Sequence, residues 1–221
     1  MGALRNINGK VFIFRHRLSS SANTYMIPCQ ESVIIIDPGL PDLVDFYIEH
    51  LSIFEYIHII HTHMHYDHIA TTPLLKKIFE DKAKVYHHEN EAKFLEEGDS
   101  ISTLATYFNE YLPPIKVDKE LKEGYLIIDG TPLAILHTPG HTIGSICILY
   151  KNIIFTGDLL FSDGNVGRLD LPTGNRVDLF RSLSKLERVN AEVIAPGHGS
   201  VTKRPLKGLI EEVRLRLGPY I

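Results

Sequence analysis

The feature that most constrains this chain is the run Thr62-His63-Met64-His65-Tyr66-Asp67-His68. Three imidazoles and a carboxylate within six residues cannot share a folded interior without strong desolvation and repulsion unless something cationic joins them. The pattern HxHxDH fits in one register only, His63, His65, Asp67 and His68. Starting at His61 would put His65 and Tyr66 where Asp and His are needed. The chain must therefore deliver this stretch, rigidly, to a place where a metal ion could sit.

Three later stretches pair a glycine-marked turn with a metal-capable side chain. They are His137-Thr138-Pro139-Gly140-His141-Thr142, Thr156-Gly157-Asp158 and Ala195-Pro196-Gly197-His198-Gly199. Each follows an apolar run with strand character, so each side chain is expected at a sheet edge, where backbone fixes its direction and the loop leaves room for substrate.

Strand-like runs rich in Ile, Val and Tyr lie at Lys10 to Phe14, Val33 to Ile36, Ile57 to Ile60, Ala83 to Tyr86, Tyr125 to Ile128, Leu133 to Leu136, Ser145 to Tyr150, Ile153 to Phe155 and Val193 to Ala195. Helical spacing is read at Leu43 to Phe54, Thr72 to Glu80, Glu89 to Glu97, Ile101 to Tyr111, Val177 to Val189 and Leu206 to Leu217. Asp129-Gly130 and Lys151-Asn152 read as hairpin turns, which imply antiparallel pairing. Hairpins mixed with intervening helices point to sheets covered by helices rather than one parallel sheet. No Gly/Ser/Pro linker, repeat or low-complexity tract divides the chain, so residues 1–221 are expected to form one domain.

Composition narrows the chemistry. A net charge of -4 without a run of lysines and arginines argues against nucleic acid as a partner. Two well-separated cysteines, Cys29 and Cys147, suggest neither a disulfide framework nor a cysteine metal site, and a reducing cytoplasm is expected. No stretch approaches the ~20 apolar residues of a membrane span. The start Met1-Gly2-Ala3-Leu4-Arg5-Asn6 matches neither a signal peptide nor the myristoylation rule.

Together with Asn23 and Asp37-Pro38-Gly39, these motifs resemble the metallo-beta-lactamase superfamily, in the right order over almost the whole chain. The resemblance implies an α/β fold, a four-layer αβ/βα sandwich of two mixed sheets with helices on the outer faces. It also implies two divalent metal ions, with His63, His65 and His141 on one, Asp67, His68 and His198 on the other, and Asp158 bridging both. Imidazole and carboxylate ligands suit zinc, with iron or manganese acceptable. A hydroxide bridging the ions would attack substrate, and Asp67 would orient it and relay its proton.

The segment Gly167-Arg168-Leu169-Asp170-Leu171-Pro172 is similar to the GRxDLP element of the short glyoxalase II-like (hydroxyacylglutathione hydrolase-like) proteins. That likeness implies a thioesterase acting on S-lactoylglutathione or a related small acyl-thiol, with Arg168 binding a substrate carboxylate or, equally, bracing its loop through Asp163 or Asp170. Lys203, Arg204 and Lys207 could add contacts to the thiol part. The same superfamily offers a persulfide dioxygenase with one iron on His63, His141 and Asp158, and lactonases.

Of the other histidines, His16, His50, His87 and His88 are expected at the surface or in loops. His58, His61 and His137 lie beside the candidate ligands. Asp37 reads as a turn residue.

Overall fold

The computed structural model describes residues 5–7 and 9–218, so the Met1-to-Leu4 part of the N-terminal reading lies outside the described residues. The described residues divide into two compact units. One runs to Leu121 and includes Ile127–Thr131, and the other comprises Lys122–Leu126 and the chain from Pro132 onward.

The first unit carries a seven-stranded mixed sheet whose spatial order follows the sequence, β1 (Arg5–Asn6), β2 (Phe12–Phe14), β3 (Thr24–Pro28), β4 (Ser32–Ile36), β5 (Tyr56–Ile60), β6 (Ala83–His88) and β7 (Lys119–Leu121). The first four strands pair antiparallel and the last three join in parallel. Strand β4 is Ser-Val-Ile-Ile-Ile with every residue buried, the mark of a strand covered on both faces. Between strands lie helices α1 (Val44–Leu51), the single turn α2 (Tyr66–Ile69), α3 (Thr72–Phe79) and α4 (Glu89–Glu96). Val33, Ile35, Ile57 and Ile59 pack with Tyr47, Leu51 and Leu75 of α1 and α3 in one core. A second core joins Met64, Tyr66 and Ile69 to Val85, Leu95 and Leu112 beneath the histidine-rich stretch.

The second unit is built on a five-stranded mixed sheet in the order β12-β11-β10-β9-β8, formed by β8 (Gly124–Ile128), β9 (Thr131–His137), β10 (Ile146–Tyr150), β11 (Ile153–Gly157) and β12 (Val193–Pro196). Both expected hairpin turns form. Asp129 and Gly130 have positive φ, and Tyr150 pairs with Ile153 around Lys151. Helices α5 (Arg176–Leu186) and α6 (Leu206–Leu217) cover the sheet through Leu179, Leu183, Leu209, Ile210 and Val213, packed on Cys147, Ile154 and Ile194.

The helix expected over Ile101 to Tyr111 is a correction. Only the 3-10 turn Ala105–Phe108 forms. Asp99 captures the Ile101 and Ser102 amides, and Leu104 and Asn109 take left-handed backbone, which ends any continuous helix. Strands β1, β3 and β7 were not anticipated. Among the described residues no helix is long and apolar enough to cross a membrane.

Candidate metal centre

The first unit presents four of the candidate ligands just beyond the end of β5. The strand residues Ile57, Ile59 and Ile60, all buried, lead into His61, and Thr62 through His65 form the connection to α2. His63, His65 and His68 are buried, and Asp67 is slightly more open. His63 Nε2 lies 3.1 Å from His65 Nδ1, and the His63 and His68 rings are 4.0 Å apart. His68 Nε2 is 3.8 Å from Asp67 Oδ2.

What aims these groups is Asp37, which is 1% exposed. Its Oδ1 accepts from the Thr62 amide at 2.7 Å, and its Oδ2 accepts from the Thr62 hydroxyl at 2.6 Å and from His68 Nδ1 at 2.8 Å. A proton held on Nδ1 leaves the Nε2 lone pair of His68 for a metal. Asp37 thus does more than hold its turn, though it holds that too, at a φ of 52°.

The second unit presents the remaining three. Asp158 follows β11, His141 lies in the loop after β9 and His198 in the loop after β12. Asp158 Oδ2 is 3.7 Å from His141 Nε2 and also 3.7 Å from His198 Nε2, so one carboxylate oxygen faces two imidazole nitrogens. His141 Nδ1 donates to the Arg168 carbonyl at 2.8 Å, which again points Nε2 into the site. Gly167 makes that contact geometrically feasible. Its amide donates to the Asp158 carbonyl at 2.7 Å, and a Cβ there would lie 2.5 Å from His141 Nδ1. The glycine of the GRxDLP segment is therefore required sterically beside two candidate ligands, His141 and Asp158.

The Arg168 side chain itself forks around Asp170, with Nε to Oδ1 at 3.0 Å and Nη2 to Oδ2 at 2.7 Å, and it is 61% exposed. That fork holds the Asp170 carboxyl below its usual range. In each unit one imidazole, His68 or His141, is held by a bonded Nδ1 with its Nε2 within 4 Å of a carboxylate oxygen. This donor set fits divalent metal ions of borderline character.

The remaining histidines correct the surface expectation. The His16 side chain is 1% exposed, His87 0% and His88 3%. His87 pairs with the buried Glu91 at 3.1 Å, and His88 caps α4 by accepting the Asn90 amide. His16 does lie in a loop, as expected, though its side chain is buried, and His50 is partly exposed and stacked on Phe46. His58 bonds to Tyr86, and His61 to Thr72 at 2.8 Å. Burial holds His61 well below the usual imidazole range, so it is neutral at pH 7. Gly167, Thr62 and the Arg168 carbonyl are the supports that sequence reasoning missed. The only local signal was the presence of Gly167 and Arg168 in a shared element.

In each unit, imidazole and carboxylate side chains gather at the ends of a mixed sheet flanked by helices, the kind of donors that metal-dependent hydrolases use. The family model of the metallo-beta-lactamase superfamily matches residues 20–198, and the chain belongs to that superfamily. It is 37% identical over 191 residues to a probable metallo-hydrolase of Methanocaldococcus jannaschii, covering 83% of this chain and 90% of the relative. It is 36% identical over 150 residues to the hydroxyacylglutathione hydrolase GloC of Haemophilus influenzae, covering 64% and 68%. Among solved structures, TTHA1623 in a di-iron-bound form superposes with a TM-score of 0.68 at 30% identity, covering 90% of this chain and 95% of that one.

Proposed function

We propose that the protein hydrolyses a thioester of a small acidic thiol, of the S-lactoylglutathione type. In this reading His63, His65 and His141 hold one divalent ion, Asp67, His68 and His198 a second, and Asp158 serves both. The observation that carries it is the Gly167-to-Pro172 element, which resembles that of glyoxalase II-like proteins and here supports two ligands, His141 and Asp158, through backbone contacts. The likeness to GloC supports the same substrate class.

Bound divalent ions would lower the pKa of a water toward about 7 and polarise the acyl carbonyl. Asp67 orients the attacking water and takes its proton. Asp37 keeps His68 in the ligating tautomer, as the Arg168 carbonyl does for His141. A thiolate leaves without a strong general acid. The Arg168 guanidinium, exposed beside the ligand loop, binds the carboxylate of the thiol part, with Asp170 holding it in place between turnovers.

The test is turnover of S-lactoylglutathione and a panel of acyl-thiols by purified protein with zinc restored. Hydrolysis of at least one panel member is expected, and no turnover across the panel removes the reading. One iron per chain with oxygen uptake on a persulfide would replace it with an oxidoreductase.

A further inference from the structure

The Asp37 carboxylate holds His68, and its backbone carbonyl joins a second buried polar chain in the same unit. His16 stands two residues past the end of β2, in a stretch without regular structure, yet its side chain is 1% exposed. Its Nδ1 is 2.6 Å from Asp42 Oδ1, and Asp42 is further fixed by accepting the Arg17 amide at 2.9 Å. Its Nε2 is 3.0 Å from Thr24 Oγ1. Thr24, 0% exposed, donates to the Asp37 carbonyl at 2.6 Å and lies 2.9 Å from the Tyr47 hydroxyl. Tyr47 in turn donates to the Pro38 carbonyl at 2.6 Å.

The imidazole also packs on the turn itself. Gly39 has a φ of +71°, and a Cβ there would fall 2.4 Å from His16 Nε2 and 2.6 Å from Ser21 Oγ. Ser21 Oγ accepts the Leu40 amide at 2.9 Å. On the opposite side the same turn grips the ligand segment. Gly39 N donates to the His68 carbonyl at 3.0 Å, and the Gly39 carbonyl accepts from the Thr71 amide and hydroxyl. The Asp37 carboxylate meanwhile holds Thr62 and His68. The turn 37–39 is thus clamped between His16, Thr24 and Tyr47 on one side and the ligand segment on the other.

We propose that the His16–Asp42 pair is a positioning couple for His68, acting through Thr24 and the Asp37–Gly39 turn. The role rests on the reading of His68 as a metal ligand. Asp37 sits in left-handed backbone, which an aspartate adopts at small cost, so its orientation depends on the contacts that hold the turn on both sides. With His16 removed, the turn loses its wedge and Thr24 loses a partner. The carboxylate can then swing, and His68 is no longer held with its proton on Nδ1. Supports one step removed from a ligand commonly change metal affinity about 10- to 100-fold. His16, a further step back, is expected at the lower end.

The experiment compares His16→Ala, His16→Gln and Asp42→Asn with the parent protein. Three readouts are taken on each: the imidazole N–H signals of the apo protein by nitrogen-15 histidine NMR, the affinity for each zinc equivalent by competition with a chromophoric chelator, and the Tm. In His16→Ala the His68 Nδ1–H signal is expected to exchange faster with water. Affinity for the zinc equivalent at His68 is expected to fall about ten-fold, while the other equivalent is retained. His16→Gln, whose side-chain amide can still make a hydrogen bond to Thr24, restores most of both. If His16→Ala does not fold, Asp42→Asn carries the test and shifts both readouts in the same direction by less. An unaltered His68 signal and unaltered zinc affinity in a variant with lowered Tm would overturn the proposal and leave His16 a support of the turn alone. A parent protein that binds no zinc, but whose His68 signal still responds to His16, would confirm the coupling and refute the metal reading.

Discussion

Replacing Asp37 by Asn isolates the orientation of His68 from everything else at the site. Asparagine tolerates the φ of 52° found there, so the backbone contributes little to the outcome. The carboxylate accepts three donors, and an amide can accept only on its oxygen. The Thr62 amide proton cannot reverse, so the asparagine oxygen stays on it and the NH2 group replaces Oδ2. The Thr62 hydroxyl can rotate to accept, which leaves the His68 contact as the loss. A hydrogen bond to a charged, buried group contributes roughly 1.5 to 3 kcal/mol. The imidazole can recover part of that by accepting at Nδ1, but only with its proton moved to Nε2, the atom that would ligate. Metal binding must then reverse the tautomer, and the affinity of the second equivalent should fall about 10- to 100-fold, roughly 1.4 to 2.7 kcal/mol. Zinc titration against a competing chelator measures this, with thermal melts of the apo protein as the stability readout. An Asp37→Asn protein that binds the second equivalent as tightly as the parent would refute the reasoning.

Four further outcomes follow from the same geometry. Gly167→Ala inserts a methyl 2.5 Å from His141 Nδ1 and 2.7 Å from the Asp158 carbonyl, so about 1 to 3 kcal/mol of stability and a metal equivalent should be lost together, read by calorimetry and metal analysis. Arg168→Ala should raise KM about ten-fold with kcat unchanged and the Tm little altered, because its pair with Asp170 is exposed to solvent; an unchanged KM would leave Arg168 a loop brace. Asp67→Asn should lower kcat by about 10²- to 10⁴-fold in steady-state assays while the chain stays folded by circular dichroism. Chelation should lower the Tm, because free metal at about a thousand times its Kd contributes roughly 4 kcal/mol to the folded state, and adding zinc back should restore it.

The sequence revealed the elements that local patterns control. The Ile-rich β4 and β5, the two hairpin turns and the amphipathic α3 and α6 all lie where spacing places them, because each draws its signal from neighbours in sequence. Strand β7 escaped notice because Lys119 and Glu120 are polar, and their strand geometry comes from pairing with β6. Strand β3 is likewise defined by its two partners. The stretch from Ile101 to Tyr111 failed for the opposite reason, its apolar spacing being overruled by Asp99 and by left-handed backbone.

The same division runs through the site. Residue types and glycine-marked turns expose His63, His65, Asp67, His68, His141, Asp158 and His198 as candidates. Their supports come from 25 to 31 residues away: Asp37 to Thr62, His141 to Arg168 and Asp37 to His68. No local pattern carries pairings of that range. The burial of His16 was hidden likewise, since Asp42 lies 26 residues away, whereas His87 and His88 have local partners and owe their burial to the place of β6 inside the sheet.

The most direct test of the two-ion thioesterase is the metal content per chain of protein expressed without added metal, measured by elemental analysis on the fraction active toward a thioester. Two equivalents of divalent metal per chain are expected, both removed by chelation along with the activity. A single iron per chain, with thioester turnover absent after zinc is supplied, would contradict it.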